Sequence, residues 1–195
     1  MTPVALQSSN GQQQVTVNVE GIDPQQYQQV SDQLGVELNR QTQTYIGVAN
    51  AMELATRLCP QANPADLWVH LIYNQFRTRH GRSDQSWKRV SGQALEQVII
   101  DTYNPRLQPH QIRVRFGKEP DAVALGLVER GLGGSKTDLV LERRHNGAWT
   151  LFGVLHCKAS IAERLTDDAP ASEDLIAHGY WSSVVTIVSA GGKMG

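Results

Sequence analysis

The stretch TDLVLERRHNGAWTLFGVLHCKAS, residues 137–160, decides how this chain is read. Two apolar runs flank Arg143-Arg144-His145-Asn146-Gly147, and Asn-Gly is a strong signal for a two-residue hairpin turn. Strands are therefore expected at Asp138–Glu142 and Trp149–Cys157. Asp138 opens the first and Lys158 follows the second, so one hairpin can bring an acid and a lysine to a single point. Residues two apart on a strand share a face. His156 and Lys158 are accordingly expected to point together, with Cys157 pointing away.

Outward from this hairpin, the pattern predicts an α/β chain. Residues 1–14 are polar and Gln-rich and are expected to be poorly ordered or a weak edge. Val15, Val17 and Val19 alternate with polar residues as a short strand would. Asp23-Pro24 starts a helix by N-cap and N1-proline logic, running through Gln33, with another segment across Gln41–Leu58. Pro60 to Pro64 breaks it, and Ala65–Arg77 reads as a further helix. After a loop at Gly81–Asp84, a helix is expected over Ser86–Tyr103, ended by Asn104-Pro105. Ile112–Phe116 alternates cleanly as a strand. A glycine loop, Gly131–Ser135, feeds Asp138. Beyond Lys158, a helix is expected over Ser172–His178 and a last strand over Ser183–Ser189. The division expected is a mainly helical region over 1–75 and a core over 76–195.

Composition excludes some classes. No apolar run is long enough to span a bilayer, and the N-terminus lacks a charged-then-apolar signal segment. The expected location is the cytoplasm, with Cys59 and Cys157 as buried thiols. The net charge of −1 is unevenly spread: residues 1–75 carry −4, residues 76–145 carry +5 and residues 146–195 carry −2. Arg77, Arg79, Arg82, Lys88 and Arg89 lie close together in the basic segment, a grouping suited to phosphate contacts. A solvated surface accounts for them equally well.

The converging acid and lysine set the chemistry. Hydrolysing a phosphodiester requires neutralising developing charge, generating hydroxide and stabilising the leaving oxygen, all of which carboxylate-held Mg²⁺ can do. Asp138 is the leading ligand, and Lys158 would orient the attacking water. Neighbouring His156 and Cys157 cannot form a nucleophile–base dyad on a regular strand. His145, His156, Cys157 and Cys59 have no recognised zinc-ligand spacing.

With Lys158 followed by Ala-Ser160-Ile-Ala-Glu163-Arg164, the chain resembles the PD-(D/E)xK nucleases, and within them the type II restriction endonucleases. The resemblance covers about residues 86–185. It implies a restriction-endonuclease-like core, a mixed central sheet flanked by helices, preceded by a helical N-terminal region. It further implies sequence-specific cleavage of double-stranded DNA with Mg²⁺ by a homodimer. A glutamate on the helix before the first active-site strand belongs to the family pattern, and Glu96 fits it. The usual pattern also has an acid two residues before the lysine, where this chain has His156. The CCGG-recognising, BsaWI-like branch loses that acid and takes a carboxylate from the following helix. Glu173 occupies a comparable place, with Glu163 as the other candidate. Whether His156 binds metal weakly or fills space stays open. By the same resemblance, Ser160, Glu163 and Arg164 face the DNA. Arginine donates bidentately to guanine and glutamate accepts from cytosine N4. Asp167 and Asp168 either add cytosine contacts or cap the next helix. Arg82, Lys88 and Arg89 are the candidate phosphate contacts. The competing readings are a repair-type nuclease of the same group and a non-catalytic DNA-binding or assembly module with a decayed site.

Overall fold

Asp23 and Gln26 cap each other at the head of the first long helix. The Gln26 amide donates to Asp23 Oδ1 at 2.9 Å, and the Asp23 amide donates to Gln26 Oε1 at 3.1 Å. The computed structural model describes residues 2–7, 14–40, 43–79, 81, 83–128, 131, 137–158 and 165–187. They form two compact units, one from the chain up to Val98 and the other from Ile99–Thr186. Among the described residues, no helix is long and apolar enough to cross a membrane.

In the first unit, strands β1 (Thr2–Gln7) and β2 (Gln14–Val19) pair antiparallel, from Thr2 opposite Val19 to Gln7 opposite Gln14. The N-terminal residues 2–7, expected to be weakly ordered, are thus a strand paired with β2; its short Val-Ala-Leu run was hidden by the polar, Gln-rich residues that follow it. Helix α1 (Pro24–Arg40) buries Val30 and Leu34, and α2 (Thr44–Leu58) buries Val48, Ala51 and Ala55. The next helix, α3, starts at Pro64–Asp66 and continues in wider π winding over Leu67–Tyr73 and Gln75–Arg79. Asn63 caps its start, accepting from the Ala65 amide at 2.8 Å. Leu67, Leu71, Ile72 and Phe76 are fully buried along it. Trp87 packs its ring 5.0–5.3 Å from those of Trp68, Tyr73 and Phe76. Cys59 and Cys157 are buried thiols that form no disulfide.

Helix α4 (Asp84–Leu107) runs through Pro105 instead of stopping at Asn104. A proline so near the helix end removes only one intrahelical bond. The Asn104 side chain is used sideways instead. It donates to the Val114 carbonyl at 2.9 Å and accepts from the Val114 amide at 2.7 Å, tying the end of α4 to β3 (Ile112–Phe116). A short helix that the sequence pattern does not announce, α5 (Glu119–Ala124), follows.

Strands β4 (Leu139–His145) and β5 (Ala148–Lys158) form the expected hairpin. Asn146 (φ 49°) and Gly147 (φ 83°) both adopt left-handed backbone, as a type I′ turn requires, and His145 faces Ala148 across it. Helix α6 (Leu165–Ala177) begins before the expected Ser172, and β6 (Trp181–Thr186) starts ahead of the expected Ser183. The sheet order is β3-β4-β5-β6, antiparallel except for the parallel β5–β6 pair that α6 connects. This is the mixed sheet with helices that the sequence implies. A side chain at Gly153 would lie 2.7 Å from the Trp181 carbonyl, so glycine is required where β6 first meets β5. One sheet face buries Val140 and Val154 with Ala122, Leu125, Leu127 and Leu175. The other carries buried Val114, Leu139, Leu141, Leu155 and Cys157.

Candidate active site

The hairpin register decides the site. Leu139 faces Leu155, so Asp138, one residue outside β4, comes level with His156, two residues before β5 ends at Lys158. The Asp138 carbonyl accepts from the Gly117 amide at 3.0 Å, which anchors its backbone to the end of β3. Its carboxylate reaches across to β5. Oδ2 accepts from the Cys157 amide at 2.8 Å and lies 3.3 Å from Lys158 Nζ. The side chains of Lys158 and Asp138 are 18% and 20% exposed, so the pair stands partly open to solvent at the strand ends. The two residues that the sequence singled out are therefore together. A carboxylate held by a backbone amide beside a partly exposed ammonium can bind a cation on one side and present a proton donor on the other.

The remaining expected site residues are more scattered. Glu173 is exposed on α6, Glu96 is half-buried on α4 in the first unit, and Lys88 and Arg89 are exposed on α4. Among the described residues, no three of His, Cys, Asp and Glu gather closely enough to hold a metal. Arg82, Ser160, Glu163 and Arg164 lie outside the described residues, as do the side chains of Asp167 and Asp168.

Two features escaped sequence reasoning. His156 is fully buried, and its Nε2 lies 3.3 Å from Ser182 Oγ on β6, which accepts from Ser172 Oγ on α6 at 2.8 Å. The second feature is an ionic cluster on the same sheet. Glu142 accepts from Arg113 Nε at 2.6 Å and from Arg115 Nη2 at 2.8 Å, while Arg115 also clasps Asp121 at 2.7 and 2.8 Å. The alternation Ile-Arg-Val-Arg-Phe, which puts two arginines on one strand face, was the available signal. Hydrogen bonds to Asp121 and then Glu142 push the Arg115 guanidinium above its ordinary range. The hydrogen bonds from Arg115, with that from the Lys118 amide, overcome burial and hold the Asp121 carboxyl below its usual range. Burial pulls Glu142 upward, yet Arg115 and Arg113 together outweigh it and lower this group as well.

The family model described as BsaWI restriction endonuclease type 2 matches residues 115–194, which include β4, β5 and α6. The type II restriction enzyme AgeI of Thalassovita gelatinovora is 34% identical over 184 residues, covering 88% of this chain and 66% of that enzyme. The solved structure of the specific AgeI–DNA complex aligns with a TM-score of 0.86 at 30% identity, over 98% of this chain and 73% of that one. This chain belongs to the family of type II restriction endonucleases that includes AgeI. The mixed sheet flanked by helices is the fold of this restriction endonuclease family. A BsaWI–DNA complex also aligns, at a TM-score of 0.46 and 19% identity over 83% of this chain and 69% of that one. This family member spans just under two thirds of the curated AgeI sequence.

Proposed function

We propose that this chain is a Mg²⁺-dependent, sequence-specific double-stranded DNA endonuclease of the type II restriction kind. It acts in the cytoplasm as a homodimer, so that both strands are cut, on a site containing CCGG. The core over 76–195 carries the chemistry and the region over 1–75 supports it. The observation that most directly supports the reading is the convergence of Lys158 Nζ and the Cys157 amide on one oxygen of Asp138.

The donor chemistry fits the metal. Mg²⁺ takes hard oxygen ligands, commonly one or two carboxylates with water and substrate phosphate oxygens. Both described donors to Asp138 engage Oδ2, so Oδ1 is the oxygen offered to a cation. Glu173 follows Ser172 on α6 and is the second proposed ligand; Glu96 is the third, on the strength of the family pattern alone. When bound, the ion supplies Lewis-acid stabilisation at the phosphate and a more acidic water. Lys158, held by Asp138, aims its ammonium at the attacking water and at the phosphate oxygen. The Cys157 amide keeps the carboxylate from rotating out of line.

Recognition is assigned downstream of the lysine. Arg164 donates to guanine O6 and N7 and Glu163 accepts from cytosine N4, with Ser160, Asp167 and Asp168 alongside. Arg82, Lys88 and Arg89 contact phosphates and set register without reading sequence.

The test is incubation of the purified protein with a plasmid of known sequence, with Mg²⁺ or with chelator, followed by sequencing of the fragment ends. Discrete fragments that end at one recurring sequence, in Mg²⁺ only, are expected. An intact plasmid with every divalent metal tried would overturn the reading in favour of a non-catalytic DNA-binding module.

A further inference from the structure

A fully buried histidine is an expensive way to fill space in a sheet. Its imidazole loses water and must be hydrogen-bonded to compensate. His156 sits on β5 between Val154, which belongs to the apolar core, and Lys158, which reaches the site. Its Nε2 lies 3.3 Å from Ser182 Oγ on β6, and Ser182 lies 2.8 Å from Ser172 Oγ on α6. Each hydroxyl has one proton and two lone pairs, so a neutral imidazole satisfies the chain in either direction.

The ends of this chain are the informative part. One end is two residues from Lys158, and the other is the residue immediately before Glu173. Apolar packing of Leu175 against Val154 keeps α6 on the sheet, but such contacts are non-directional and allow the helix to slide or turn. Hydrogen bonds prefer narrow distances and angles, so a bonded chain from strand to strand to helix fixes the position of residue 172 and thereby of residue 173. At position 156 the usual family pattern carries an acid; here the residue is buried, with its Nε2 turned to Ser182.

We propose that His156, Ser182 and Ser172 form a positioning chain that sets Glu173 for metal binding beside Asp138 and Lys158. The proposal rests on the nuclease reading above. None of the three is a catalytic residue; they act through Glu173. Groups that orient a metal ligand typically alter metal affinity by about 10–100-fold when removed.

Ser182→Ala tests this with the loss of one oxygen, and Ser172→Ala breaks the chain from the helix side should the strand variant fold poorly. The readouts are the Mg²⁺ concentration for half-maximal cleavage and a calorimetric Ca²⁺ titration of protein bound to the duplex identified by the plasmid experiment. Each variant is expected to raise both concentrations about tenfold, with metal-free duplex binding unchanged. Ser182→Thr, which keeps the hydroxyl, should restore wild-type metal affinity. In a Glu173→Gln background, Ser182→Ala should add no further loss, because the two changes then act through one group. A metal isotherm unaltered by either alanine variant, in a protein whose wild type cleaves, overturns the positioning chain. So does an equal loss with and without Glu173. A wild type that neither cleaves nor binds metal instead removes the nuclease reading itself, and the chain's role falls with it.

Discussion

The sheet of Ile99–Thr186 carries two ionic groupings built in opposite ways. In the Arg113–Glu142–Arg115–Asp121 cluster, each carboxylate oxygen receives at least one donor at 2.6–2.8 Å. Arg113 also lies 4.1 Å over the ring of Trp149, and Arg115 bonds the Phe116 carbonyl at 3.0 Å. In the Asp138–Lys158 pair, both described donors meet the same carboxylate oxygen: Oδ2 accepts from the Cys157 amide at 2.8 Å and lies 3.3 Å from the ammonium. Bidentate, charge-assisted bonds are short and specific. A cluster so saturated holds β3, β4 and α5 in register and has little left for a ligand. Asp138 stands at a strand end with both described donors on Oδ2, and its other oxygen faces the place where a cation can enter. Charge alone does not separate structure from chemistry; how the carboxylate oxygens are engaged does.

The largest effect should come from unbalancing the Asp138–Lys158 pair. Asp138→Asn keeps an acceptor for the Cys157 amide but removes the charge that would hold a cation. Cleavage should fall by at least about a hundredfold, the usual scale for losing a preorganised electrostatic group, while thermal unfolding stays near wild type. Cleavage reduced only in proportion to lost folded protein would erase the contrast between the two groupings.

Next comes the saturated cluster. Glu142→Gln should destabilise the fold by about 2 kcal/mol, less than the loss from a fully buried pair because Arg113 and Arg115 remain partly exposed and screened. Denaturant midpoints would show it. The cluster also predicts a sign for acid sensitivity. Asp121 and Glu142 both titrate below their ordinary values when folded. Their contribution is therefore complete above the unfolded carboxylate range and is lost as pH falls through the folded values. Wild-type stability should drop more steeply on acidification than that of Glu142→Gln, as measured by denaturant titration from about pH 7 to pH 3. Parallel curves would show that Glu142 carries none of this dependence.

The smallest effect is at the turn that pairs β4 with β5. Gly147 has φ 83° with open space around it, so Gly147→Ala brings backbone strain and no clash. It should cost about 1 kcal/mol, with cleavage of folded protein unchanged. A loss of cleavage beyond the loss of folded protein would mean that the register itself slips.

What was legible in the sequence follows from the range over which each signal acts. Asn146-Gly147 dictates a two-residue turn, and the turn dictates the pairing of His145 with Ala148. A one-residue register shift between Leu141 and Glu142, which the turn does not announce, then sets Leu139 opposite Leu155 and brings Asp138 to β5. Helix α5 is only six residues long, too short for its periodicity to stand out. Pro105 was misread because a proline in a last turn costs little, while the partner of Asn104 lies on a strand ten residues on. His156 was legible as a departure from pattern but not as a connection. Its partner Ser182 is 26 residues away and is supplied only by the crossover through α6. The arginine–carboxylate cluster was hidden for the same reason, since Arg113 and Glu142 meet only through sheet pairing.

The contrast rests on Lys158 being a reactive group, not a structural one. Lys158→Met retains an apolar stem in the same half-buried place and removes only the ammonium. Duplex cleavage, metal-free duplex binding and the unfolding midpoint should be measured on one preparation of the variant beside wild type. The expected result is cleavage lower by at least about a hundredfold, with binding and midpoint retained. A folded, DNA-binding variant that still cleaves near the wild-type rate would contradict the account.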